Sequence, residues 1–405
     1  IRDAGGTIDS YLVHLAHNEL IPGPDKNFYA LIMNNILADD DNSNTGLQYG
    51  EYPDQTYYGI KQDDGVGGMT IIRGNTIRGV ADGMSPGGDE GESPILGPLD
   101  SDVLDTWTNQ NIDIYDNYIY GVSDDAIETD GHMINGRIFK NHIGSCVNAI
   151  SVAPVWPGPY FIVRNTIYGY REQCLKSNTA VPGGTRNVFF YQNTVKQKAG
   201  ATYCYYRGMP AKVDNITLRN NIFEATGRVI DTDIGSNSPC EWYHKNDDFD
   251  YDLFWSDLPN TGGYVLFKWG FSDYSDNQRF KTFEAFQAGT EHAPAQGFTC
   301  PDQRAIPEEA NGHFADPHLA LTPVSGFNAG TSFLYDIVPG QGSPAIDKAV
   351  LIPGINDNFV GAGPDVGAVE LQGAAPIGTD VGDIPVFRPR VAIDKADADS
   401  AAPGA

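Results

Sequence analysis

Basic residues are scarce in this chain. Its 405 residues hold 26 Lys+Arg against 53 Asp+Glu, a formal net charge of −27. A phosphate backbone needs a basic stripe to bind, so nucleic acid is not expected as a partner. Long apolar runs are also missing; none approaches the roughly 20 residues that span a bilayer, so no membrane span is expected. Ile1 opens the chain without a Met or a signal peptide, and a processed or trimmed N-terminus is expected from that. There is no Gly-x-Ser-x-Gly, His-Glu-x-x-His or phosphate loop, which leaves serine-hydrolase, zinc-protease and nucleotide chemistry without support. The five cysteines (Cys146, Cys174, Cys204, Cys240 and Cys300) show no metal-ligand spacing. Cys240 and Cys300 are candidates for one bridge, and Cys204 fits a buried free thiol best.

Glycine (46) and proline (26) are plentiful, and 21 Tyr and 19 Phe supply apolar bulk. That composition argues against disorder and for many turns with few helices. A repeat then emerges. Asn-x-Ile/Val recurs as Asn34-Asn35-Ile36, Asn75-Thr76-Ile77, Asn117-Tyr118-Ile119, Asn141-His142-Ile143, Asn165-Thr166-Ile167, Asn193-Thr194-Val195 and Asn220-Asn221-Ile222. Successive spacings are 41, 42, 24, 24, 28 and 27 residues. The short spacings are one coil of a solenoid, and the two long ones are a coil plus an insertion. In Asn111–Asn117 the Ile residues alternate with polar ones, as in a half-buried strand. Asn117 is expected to take the sharp bend that follows, since Asn tolerates left-handed backbone. Coils stacked about 4.8 Å apart would let such Asn side chains bond in a ladder. No coil buries its own apolar face, so stacking must supply the core.

This pattern, with Asp124-Asp125-Ala126-Ile127-Glu128-Thr129-Asp130-Gly131, Phe249-Asp250-Tyr251-Asp252-Leu253-Phe254-Trp255 and the terminal Gly342–Asp347 and Asp365–Glu370 segments, resembles the right-handed parallel β-helix proteins of the pectate-lyase-like superfold. The resemblance covers about residues 30–370 and implies an all-β, right-handed parallel β-helix, an extracellular location and a polysaccharide partner. It does not fix the reaction, because this superfold carries lyases, hydrolases, epimerases and adhesins. Residues 1–235 are read as coils, 236–373 as an irregular continuation and cap, and 374–405 as a tail rich in Ala, Asp and Pro. Phe280, Phe283 and Phe286 predict one short amphipathic helix that covers the solenoid.

In this superfold the strand after each Asn-x-Ile turn lines the substrate groove. Aligning those strands on Met84, Ile127, Ile150, Leu175, Cys204 and Ile230 as inward residues gives an outward column of Ser85, Glu128, Ser151, Lys176, Tyr205 and Asp231. Two residues further on lie Asp130, Ala153, Asn178, Arg207 and Asp233, with Asp124, Asp125 and His132 at the edges. β-Elimination on a uronate needs a base and a cation that neutralises the carboxylate. Lys176 suits the base, Tyr205 a proton donor or alternative base, and Arg207 the neutraliser; a solvated Lys with an Arg paired to Asp231 or Asp233 is the structural alternative. Glu128 and Asp130, two apart on one strand, have the Cα spacing of about 6.6–6.8 Å that brings carboxylates near the range of inverting glycosidases. Asp231 and Asp233 form a second such pair. The acidic edge, Asp124 and Asp125 in particular, suits Ca²⁺, or is simply a turn. His132 is a candidate acid or base, and Trp156 and Tyr160 are candidate sugar platforms. The favoured expectation is β-elimination on an acidic polysaccharide; glycoside hydrolysis and a non-catalytic adhesin or filament role are the competing ones.

Overall fold

The computed structural model describes residues 11–15, 28–39, 56–62, 68–87, 109–153, 155–177, 185–197, 203–207, 213–234, 247–271, 278–288, 309–324, 334–372 and 375–376. Short strands wind through three long sheets and pair in parallel from coil to coil, up to an antiparallel last strand, Gln278–Phe280, against Phe267–Phe271. The chain is a right-handed parallel β-helix, as its repeat predicts. One sheet runs through Tyr58–Gln62, Asp82–Ser85, Asp125–Glu128, Asn148–Ser151, Gln173–Lys176, Tyr203–Arg207 and Arg228–Ile234; we call it the groove sheet. The other two are built from strands such as Gly131–Phe139 and His142–Gly144. Stacking continues beyond residue 235, through Asp248–Asp250, Leu253–Ser256, Phe267–Phe271 and His313–Phe314.

The coil interior is apolar throughout. Ile72, Ile114, Ile138, Ile162, Phe190, Leu218 and Phe249 stack in one file, and Leu37, Ile77, Ile119, Ile143, Ile167, Val195, Phe223 and Phe254 in another. At one end a short helix, Phe283–Ala288, packs on the stack: Phe283 and Phe286 are buried, and Phe286 stacks on Phe267 at 4.5 Å. Thr282 caps it by accepting the Ala285 N–H on its hydroxyl (3.2 Å).

The Asn ladder is present, one register step away from its expected place at both ends. Asn35, Asn75, Asn117, Asn141, Asn165, Asn193 and Asn221 form it, not Asn34 and Asn220. Each interior rung is saturated. The Asn141 amide donates to Asn165 Oδ1 and to the Ile114 carbonyl (both 3.0 Å), while its Oδ1 accepts from Asn117 N (3.1 Å) and Nδ2 (3.0 Å). The bend itself belongs to the residue before each rung: Asn34, Gly74, Asp116, Lys140, Arg164, Gln192, Asn220 and Tyr251 carry φ between 52° and 64°. The rung asparagines are therefore selected for their amides rather than for left-handed backbone, which a lysine or arginine here also adopts.

The terminal Gly342–Glu370 segment is structural. It lies back over the third sheet, where Val350 and Asn220 exchange two hydrogen bonds of 2.9 Å and Gly367 N donates to the Asn220 carbonyl. Its acidic residues hold its own turns together: Asp347 Oδ1 accepts from Ala362 N and Gly363 N, and Asp365 Oδ2 from Leu371 N. Cys146, Cys174 and Cys204 are buried free thiols, while Cys240 and Cys300 lie outside the described residues. Among the described residues no helix is long and apolar enough to cross a membrane.

Candidate functional site

On the groove sheet the alignment holds for four coils and slips at the fifth. Met84, Ile127, Ile150 and Leu175 stand in register and are buried, as expected. Leu175 then pairs with Tyr205, not Cys204, and Tyr205 with Ile230. Tyr205 is thus a core residue, 1% exposed, with its ring edge-on to Phe249 (5.8 Å) and its hydroxyl 3.2 Å from Ser177 Oγ. It is not the groove tyrosine the alignment implied. The slip arose because Cys204 and Tyr205 are both buried, so apolarity alone does not choose between them. The column following the inward residues runs Ser85, Glu128, Ser151, Lys176, Tyr206, Asp231 and Lys268.

That column is a half-covered trough rather than an open face. Only Glu128 and Lys176 are partly exposed among its described side chains; Ser85, Ser151, Asp231 and Lys268 are buried. The cost of burying these polar groups is met by pairing. Lys61 Nζ donates to Ser85 Oγ (3.0 Å), and Asp231 receives Arg228 and, at 3.7 Å, Lys268. Asp231 is therefore committed to cations of its own sheet and not to a ligand. Tyr160, expected as a sugar platform, is fully buried beneath the coil wall, and burial pushes its phenol pKa up.

The centre of the trough is an acidic cluster with one cation. Lys176 reaches across the intervening strand, past the small side chain of Ser151, and donates from Nζ to Asp125 Oδ2 (2.9 Å). Asn148 Nδ2 donates to Asp125 Oδ1 (2.7 Å). Asp130 Oδ1 accepts from Ser151 Oγ (2.6 Å) and Ala153 N (2.7 Å). One carboxylate oxygen each from Asp125, Glu128 and Asp130 lie within 4.8 Å of one another. The sheet geometry brings these three together, so Glu128 and Asp130 meet as expected, joined by Asp125. Asp124 stays beside the cluster and acts on it through charge.

Sequence reasoning missed Asp82, Asn148 and Gln173. They stand two residues before the inward residue of their strands, in one column with Asp125. A polar residue at that place in four consecutive coils was the available signal. Asp82 is buried and accepts the Asp125 N–H on Oδ1 (3.0 Å). Burial, then the charges of Glu128, Asp124 and Asp125, hold its carboxyl well above the usual range. Burial likewise raises Asp130, reinforced by Asp125 and opposed by Lys176 and two hydrogen bonds. For Lys176, burial favours the neutral amine, but Asp125, Asp130 and Asp124 outweigh it and its pKa is raised. Lys176 is held as an ammonium, the wrong form for the base role expected of it.

The backbone of His132, Trp156, Arg207 and Asp233 lies in strands, with Arg207 opposite Thr232; their side chains, and Asn178 altogether, are outside the described residues. The Ca²⁺ expected from the clustered carboxylates meets an acidic cluster of the kind that can bind a metal ion. The donors already aimed at it argue against that ion: Lys176, Asn148, Ser151 and Ala153 occupy both oxygens of Asp125 and one of Asp130, whereas Ca²⁺ takes 6–8 uncommitted oxygens. No family model matches the chain, and no curated protein or solved structure matches it either.

Proposed function

We propose that the trough cleaves a polysaccharide by hydrolysis, with Asp130 as proton donor and Glu128 as its carboxylate partner. The observation that carries this reading is the contrast between the two groups. Asp130 is buried with a raised pKa, suited to holding a proton, while Glu128 is reachable from solvent. Their oxygens within 4.8 Å are closer than the roughly 6.5–9.5 Å that inverting enzymes keep, so the pair suits a retaining double displacement. The polysaccharide and an extracellular site of action follow from the resemblance to secreted β-helix proteins.

One observation favours β-elimination as a second reading. Lys176 is a lasting cation at the middle of the trough, which a uronate carboxylate would seek. Two of the bases expected for that reading do not serve it: Tyr205 lies inside the coil and Lys176 is charged.

Incubation with a panel of neutral and uronic-acid glycans tests both. Hydrolysis releases reducing ends without an ultraviolet-absorbing unsaturated product, and Glu128→Gln and Asp130→Asn should each slow it about 100-fold or more. An unsaturated product would transfer the assignment to elimination. No cleavage of any glycan would leave the solenoid a non-catalytic surface protein.

A further inference from the structure

We propose that Lys176 is a built-in counter-ion of the acidic cluster formed by Asp125, Glu128 and Asp130, filling the part that a bound divalent cation could play there. The claim concerns how the acidic cluster is held together, whether or not the trough cleaves a glycan. Five carboxyl groups crowd this part of the groove sheet: Asp82, Asp124, Asp125, Glu128 and Asp130. Asp125 and Asp130 are almost wholly buried, at 1% and 3% exposed, so water screens them little. A buried carboxylate without a partner is costly, and a cation must answer it.

Three features fit Lys176 for that part. Its ammonium is 2.9 Å from Asp125 Oδ2, and its side chain is 19% exposed, so it lies along the trough rather than out in solvent. It comes from two strands away, with Ser151 between Glu128 and Lys176 in the same column. A large residue at Ser151 would obstruct that path, and a serine both clears it and donates to Asp130. The remaining donors, Asn148 and Ala153, complete the enclosure from the neighbouring coil. Among the described side chains, Lys268 further along the column and Arg228 on the neighbouring strand are already engaged by Asp231, and Lys61 lies at Ser85. A lysine in this geometry acts as a point charge on a flexible stem, which is how a bound ion would act.

Calcium titration and thermal melts test the assignment on wild type, Lys176→Met and Lys176→Arg. Wild type should bind no stoichiometric Ca²⁺ and melt at one temperature in EDTA and in millimolar CaCl₂. Lys176→Met should melt at least about 5 °C lower in EDTA, the scale expected when a buried charge loses its partner. It should recover part of that loss when Ca²⁺ is added, whereas Lys176→Arg should melt near wild type. Stoichiometric Ca²⁺ binding by wild type that Glu128→Gln abolishes would overturn the proposal. So would a Lys176→Met protein that melts like wild type in EDTA, or one that ignores Ca²⁺. The wild-type titration decides the question even where Lys176→Met fails to fold.

Discussion

Asp252 occupies the place below Asn221 that an asparagine fills in the preceding coils. Its Oδ1 accepts both the Asn221 backbone N–H (2.6 Å) and the Asn221 amide (2.9 Å). Lacking an amide of its own, it passes nothing further along the ladder. Glu309, also buried, lies against it and accepts the Asp252 N–H on Oε2 (3.2 Å). Asp252 Oδ2 and Glu309 Oε1 are both buried without a hydrogen-bond partner. Two adjacent buried carboxyls cannot both ionise cheaply, so the pair retains a proton.

That proton makes the end of the ladder pH-sensitive, and its sign is fixed. Burial, first, raises the Asp252 carboxyl from 3.8 to about 7, and Glu309 is raised as well. The folded state therefore binds a proton that the unfolded chain releases. The associated stability is complete below the unfolded value and is lost as pH rises through about 7. Melts from pH 4 to 8.5 should show wild type weakening on the order of 2–4 kcal/mol more than Asp252→Asn across that window. An equal pH slope in the two proteins would refute a shared proton.

The ladder interior gives a second prediction. Asn141→Ala would strand the Asn117 N–H and amide and free Asn165 Oδ1 from one donor, all within the buried wall. At about 1–3 kcal/mol per unsatisfied buried group, the loss should reach about 2–5 kcal/mol in urea unfolding. Lys140→Gly, one residue earlier, should be nearly neutral or mildly stabilising, because Lys140 sits at φ 54°, where glycine is at ease. A larger penalty at Lys140 than at Asn141 would mean the bend, not the amide, is the element under selection.

These two positions show what could be read in advance. The recurring asparagine gave the coil length and the stacking, because a period survives small errors of register. It could not reveal which Asn of Asn34-Asn35 or Asn220-Asn221 forms the rung, since both readings place an apolar residue two steps on or one. The structure resolves this through Ile36, which is 66% exposed while Leu37 is buried. The same ambiguity moved Tyr205 outward on paper. Glu128, Asp130 and Lys176 were found because, once the strands are aligned on their inward Ile127 and Leu175, they fall one or three residues later on the outer face. Their partner Asp125 was placed at the edge, since the contact depends on how far a lysine reaches across coils, which no pattern along one strand encodes.

Tyr205 provides a third prediction, one that separates a core tyrosine from a groove tyrosine. Tyr205→Ala would empty a fully buried aromatic site beside Phe249 and should cost about 3–5 kcal/mol. Tyr205→Phe forfeits the hydroxyl contact with Ser177 and should cost about 1 kcal/mol. In any glycan-cleavage assay Tyr205→Phe should keep its rate. A stable Tyr205→Ala protein with lost cleavage would return this residue to the groove.

Asp365 supports the last prediction, on the segment that lies over the third sheet. Its Oδ1 accepts the Asp347 N–H and its Oδ2 the Leu371 N–H, both at 2.8 Å. Asp347 in turn gathers Ala362 and Gly363, and Glu370 gathers Val360 N and Asp365 N. The three carboxylates thus replace the backbone pairing that an irregular segment cannot supply to itself. Asp365→Ala removes two acceptors at once and should cost about 2–4 kcal/mol of local stability. Because the Asn ladder and the apolar files do not pass through this segment, the coils should remain folded. Limited proteolysis should then cut between 334 and 372 about 10-fold faster or more, since cleavage follows the population of the locally open form. Equal cleavage rates in both proteins would show that the contacts with Asn220, rather than the carboxylates, hold the segment down.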